Sequence, residues 1–133
     1  MRVQITENFY LDEFTCKDQS DIPLNVFMNI LKLAVEMQKI RNYFQRSITV
    51  NSGYRSPSYN KKIGGASKSQ HLLGMACDFT VSGYTSISLA TFINRRLPGW
   101  IVLFLRLFHL LISSGDVLCF LAMVHSESPL RTL

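Results

Sequence analysis

Residues 52–78 constrain this chain more than any other part of it. They read S-G-Y-R-S-P-S-Y-N-K-K-I-G-G-A-S-K-S-Q-H-L-L-G-M-A-C-D. His71 and Asp78 stand seven residues apart, with Gly74 between them. Arg55 sits on a turn, with Gly53 before it and Pro57 after it. The local signals divide the stretch into short pieces. Residues 47–51 are rich in β-branched side chains and predict a strand. Ser56-Pro57 reads as a helix cap followed by Pro at the first helical position. The helix expected over 58–63 stops at Gly64-Gly65, which can take the left-handed cap conformation. Residues 66–70 are a small polar loop. Residues 75–81 then alternate, with Met75, Cys77, Phe79 and Val81 on one face and Ala76, Asp78 and Thr80 on the other. Gly83 breaks that strand.

Asp78 is the odd member of its strand. A carboxylate between Cys77 and Phe79 should be paired, hydrogen-bonded or metal-bound. The turn at Gly74 can bring His71 and Asp78 to one point, and His and Asp are both zinc ligands. A loop His and a strand Asp on the solvent face fit the same spacing, so both readings stand at this stage. Arg55 can grip a carboxylate or an oxyanion with two parallel hydrogen bonds. It can equally be a surface Arg paired with an acid. Ser69 and Gln70, beside His71, offer hydrogen bonds to a peptide backbone, or simply polar loop surface.

The flanking segments read as scaffold. In residues 1–20, Phe9, Leu11 and Phe14 mix with Glu7, Asp12 and Glu13, which predicts an irregular segment with its aromatics on the core. Asp21-Ile22-Pro23 starts a helix. Its apolar positions Phe27, Ile30, Leu31, Ala34, Met37, Ile40 and Phe44 carry it to about residue 45. Thr85 or Ser86 caps a further helix, which Pro98-Gly99 ends. Residues 100–124 are nearly all apolar, with Arg106, His109, Ser113-Ser114-Gly115 and Asp116 interrupting them. A buried helix pair, a membrane hairpin and a poorly folding tail all fit this run, so membrane association through 100–124 stays open.

Composition narrows the class. A chain of 133 residues suggests one domain with a modest core. The net charge of +5 suits an anionic partner. Nucleic acid, an anionic lipid surface and a cell-wall polymer all qualify by charge, but without a Lys/Arg block nucleic acid is not expected. The three cysteines, Cys16, Cys77 and Cys119, are far apart and form no C-x-x-C pair. Buried or idle thiols are expected, not a disulfide framework. The first ten residues hold no apolar run, so no secretory signal is expected.

The string S-G-Y-R-S-P-x-Y-N followed by G-G-A-x-x-S-Q-H-x-x-G-x-A-x-D resembles the zinc D-Ala-D-Ala carboxypeptidase family. That family cleaves peptidoglycan stem peptides and includes phage endolysins and the vancomycin-resistance D,D-dipeptidases. With N-F-Y-L-D-E-F-T-C-K-D, the resemblance covers roughly residues 5–99. It implies an α+β fold of the Hedgehog and D,D-peptidase type, a small antiparallel sheet with helices on one side. It implies a Zn2+ cofactor held by His71 and Asp78, with Arg55 as the substrate or transition-state arginine and Ser69 as a substrate contact. The third ligand is a later His. His125, in M-V-H-S-E, is preferred over His109, and Glu127 is then the acid beside it that serves as general base. A monomer acting on peptidoglycan peptides at the cell wall is expected. A catalytically inactive wall-binding relative is the alternative. Residues 100–133 depart from the family's usual ending. They read as an atypical apolar segment, from a reading-frame shift or a truncated family ending, after a 1–99 peptidase-like domain.

Overall fold

Apolar side chains recur every three or four positions from Val26 to Phe44, and this stripe is the backbone of the core. The computed structural model describes residues 2–85, 88, 89, 91, 95, 100–101 and 119–123. Helix α1 spans Leu24–Phe44. Pro23 precedes it in an extended conformation, where a missing N–H costs nothing. Gln45 ends it in the left-handed region, with its N–H donated to the Arg41 carbonyl. The buried stripe is Val26, Ile30, Leu33, Ala34, Met37, Ile40 and Phe44. Val26 and Leu33 thus take the central places expected for Phe27 and Leu31, which are only half-buried. Apolar residues at 26, 27, 30, 31, 33 and 34 cover too much of the circumference for periodicity to choose the edge that faces inward.

Strand β1 (Ile48–Ser52) follows α1, then the short helix α2 (Pro57–Lys62), strand β2 (Ala76–Val81), and strands β3 (Trp100–Ile101) and β4 (Cys119–Met123). The described residues also form two 3-10 turns, Leu11–Glu13 and Gln70–Leu73. The strands form one antiparallel sheet in the order β1-β2-β4-β3. The class is α+β, as expected. Helix α1 covers the face that carries Cys77, Phe79 and Val81, and Cys77 Sγ lies 3.5 Å from Met37 Sδ. Phe9 and Phe14 enter the same core from the N-terminal segment, meeting edge to face at 5.7 Å.

Burial of these side chains supplies the driving force, about 1.5–3 kcal/mol for each large apolar residue taken out of water. Cys16 and Cys77 are free and buried, as their isolation in the chain suggested. Thr85 is the residue that starts the helical positions beyond β2, since its Oγ1 accepts the Ser88 N–H at 3.2 Å. Among the described residues no helix is long and apolar enough to cross a membrane. Residues 102–118 and 124–133 lie outside the described residues. With them lie the three readings of the apolar run and the candidates His109, His125 and Glu127.

Candidate active site

The site begins with a register shift. Strands β1 and β2 pair Val50 with Phe79, but then Ser52 with Asp78, so β1 carries one extra residue at Asn51. Such a bulge twists a strand and re-aims the residues beyond it. Here it sets Ser52 beside Asp78 and turns the chain out of the sheet toward Arg55. Asp78 itself sits in mid-strand, flanked by β1 on one side and β4 on the other, where Phe120 is its register partner.

His71 arrives from the other side. Ser69 caps the turn Gln70–Leu73, its Oγ accepting the His71 N–H at 3.3 Å. Gly74 closes that turn with a left-handed φ of 69°. A Cβ there would also stand 2.9 Å from the Val26 carbonyl oxygen. The expected turn between His71 and Asp78 therefore exists, and it brings His71 Nε2 within 3.6 Å of Asp78 Oδ2. His71 is 2% exposed and Asp78 5%, which removes the solvent-face reading for both.

The tautomer is set by geometry. His71 Nδ1 lies 2.7 Å from the Gly53 carbonyl oxygen. A carbonyl can only accept, so Nδ1 carries the proton and donates it. In the neutral ring, Nε2 is then the lone-pair nitrogen, and it faces a carboxylate oxygen. Two electron-rich atoms facing each other in a buried place call for a cation or a proton between them. Zinc binds His nitrogen at about 2.0–2.1 Å and carboxylate oxygen at about 2.0–2.2 Å, so two donors of a tetrahedral set stand about 3.4 Å apart. The observed separation is 3.6 Å, and the donor set fits zinc. Among the described residues no third His, Cys, Asp or Glu completes a metal-binding group with this pair.

Arg55 joins the same carboxylate. Its Nη2 lies 3.3 Å from Asp78 Oδ2 and its Nε 3.4 Å from Ser52 Oγ. The guanidinium therefore spans both members of one register pair, and it meets the partner requirement read from Asp78's place in the strand. Its backbone is pinned as well, since the Arg55 N–H donates to the His71 carbonyl at 3.0 Å. Residues 53–55 and His71 thus clasp each other twice, once through Gly53 and once through Arg55.

Of the residues singled out in the sequence, the structure brings Arg55, His71 and Asp78 together. Ser69 holds the His71 turn, and half-buried Gln70 accepts the Met75 N–H through its carbonyl at 3.1 Å. Sequence reasoning missed the Gly53 carbonyl and Ser52. The first is a backbone group and carries no residue signature. The second depends on the bulge.

The family model described as Peptidase M15 matches residues 7–106, well over half of the chain. No curated protein matches the chain. On this family match, the chain belongs to the Peptidase M15 family, a family of peptidases.

Proposed function

We propose that this protein is a zinc metallopeptidase of the D,D-carboxypeptidase or endopeptidase type that hydrolyses peptidoglycan stem peptides. The observation that carries the reading is the buried approach of His71 Nε2 and Asp78 Oδ2 at 3.6 Å, with Arg55 on the same carboxylate. His71 and Asp78 hold the metal, and His125 is the third ligand. When bound, zinc supplies a Lewis acid that polarises a peptide carbonyl. The chain's own groups do the rest. The Gly53 carbonyl keeps the His71 ring in the orientation and tautomer that presents Nε2. Arg55 offers a fork of donors to a substrate carboxylate or to the oxyanion that develops at the reacting carbon. Glu127 moves the proton. Ser69 and Gln70, on the turn that carries His71, meet the peptide backbone. The positive net charge favours an anionic wall over a neutral surface.

A second reading has one observation in its favour. The Arg55–Asp78 ion pair already neutralises the buried carboxylate without a metal. A catalytically inactive peptidoglycan-binding relative would keep that pair. Zinc content decides between them. Purified protein is assayed for bound zinc and for release of D-Ala from a D-Ala-D-Ala peptide, beside His71→Ala and His125→Ala. Near-stoichiometric zinc and hydrolysis, both lost in the two variants, support the peptidase. Folded protein without zinc and without hydrolysis sinks it.

A further inference from the structure

Tyr54, Arg55 and Ser56 are each held by a different partner. The Tyr54 N–H donates to the Phe14 carbonyl at 2.8 Å, and the Arg55 N–H to the His71 carbonyl at 3.0 Å. The Ser56 N–H donates to Cys16 Sγ at 3.3 Å. Phe14, Cys16 and Asp18 are spaced two apart, so the N-terminal segment meets this turn at successive points. The last point is charge-assisted, because Ser56 Oγ donates to the carboxylate oxygen Oδ2 of Asp18. Ser56 Oγ in turn accepts the Tyr59 N–H at 3.1 Å and so caps α2.

A hydroxyl has one proton to give and two lone pairs to accept with. Asp18 takes that proton, which leaves the lone pairs for the cap. The other carboxylate oxygen, Oδ1, accepts the Ser20 N–H at 3.0 Å and the Ser20 hydroxyl at 2.6 Å. Hydrogen bonds from Cys16, then Ser20 and Ser56, hold the Asp18 carboxyl well below the ordinary carboxylate range. It therefore stays ionised and purely accepting throughout the neutral range.

Helix α2 has only six residues and cannot sustain itself by its own hydrogen bonds. Its start is set by what grips Ser56, and Ser56 is the residue next to Arg55. We infer that Asp18 is a positioning residue for Arg55, acting through the Asp18–Ser56 hydrogen bond to fix the backbone from which the guanidinium reaches Asp78 and Ser52. The inference rests on the proposed function, since it takes Arg55 as the group that meets the substrate. A misplacement of about 1 Å in such a group can cost about 10²-fold in rate.

The test is a double-mutant cycle on zinc-loaded protein, with a D-Ala-D-Ala peptide as substrate. Asp18→Ala lowers kcat about 10- to 100-fold, while zinc content stays at the wild-type level. Asp18→Asn keeps an acceptor oxygen for Ser56 and recovers most of that rate. Asp18→Ala combined with Arg55→Ala is no slower than Arg55→Ala alone, because one residue acts through the other. Ser56→Ala removes the same bond from its other end and replaces Asp18→Ala in the cycle if that variant does not fold. An active wild type whose two losses multiply, or an Asp18→Ala rate equal to wild type, overturns this inference alone. A zinc-loaded wild type that hydrolyses nothing overturns the proposed function, and this inference with it.

Discussion

The carbonyl of Gly53 accepts the Nδ1 proton of His71 at 2.7 Å, while the Gly53 Cα lies against the backbone of Phe14. One residue thus fixes a ring at the site and lets two chain segments cross. A Cβ at this position would stand 2.5 Å from the Phe14 carbonyl oxygen and 2.7 Å from its Cα. Backbone atoms cannot rotate aside as a long side chain can. Gly53→Ala should destabilise the protein by about 1–3 kcal/mol, the usual cost of overpacking. It should also weaken zinc binding, because the carbonyl that orients His71 moves with the strain. Urea melts and zinc titrations check both effects, and a variant that melts like wild type contradicts this role for Gly53.

Arg55→Lys separates charge from shape. Lysine keeps the positive charge but loses the planar fork that spans Ser52 and Asp78. Zinc should stay bound, since His71 and Asp78 are intact. kcat/KM should fall by about 10²–10³, the range seen when an oxyanion donor is removed. Steady-state kinetics beside metal analysis read the two quantities separately. A full rate with lysine would show that only the charge matters.

Asp18 gives a pH dependence of known sign. Its carboxyl is held below the ordinary value of 3.8 in the folded protein, by hydrogen bonds from Cys16, Ser20 and Ser56. A depressed folded value means that the unfolded chain binds the proton more readily. The stability it contributes is therefore fully present above about pH 4 and is lost as pH falls through the lower folded value. Asp18→Asn should melt earlier than wild type at neutral pH. The gap should close as the pH is taken well below 3.8. Thermal melts over a pH series test this, and a gap that widens in acid would refute it.

Cys16 is 3% exposed and Cys77 is fully buried. Cys16 also accepts the Ser56 N–H, and Cys77 packs on Met37. Neither thiol should react with a maleimide within minutes in the native protein, and both should react in denaturant. Peptide mapping by mass spectrometry assigns the label to each position. Fast native labelling of Cys16 would mean that the N-terminal segment lifts off the Arg55 turn.

Local chemistry was legible in the chain itself. Ser56-Pro57 opens α2, and Gly64 comes after it in a left-handed conformation, because capping and φ preference act within a few residues. The alternation around Asp78 showed that a carboxylate on an otherwise apolar strand needs a partner. Which partner it takes was not legible. Arg55 lies 23 residues away, and its reach depends on the bulge at Asn51, a shift in strand register that no local preference encodes. The inward edge of α1 was open for the same reason, since the sheet chooses it and not the helix. The His71 tautomer and the Asp18 brace also belong to the tertiary structure alone. One depends on a backbone carbonyl of Gly53, and the other on Asp18, 38 residues distant in sequence from the Ser56 it grips. Residue types and short spacings can be read along a chain, but hydrogen-bond partners across it exist only once burial has packed the segments together.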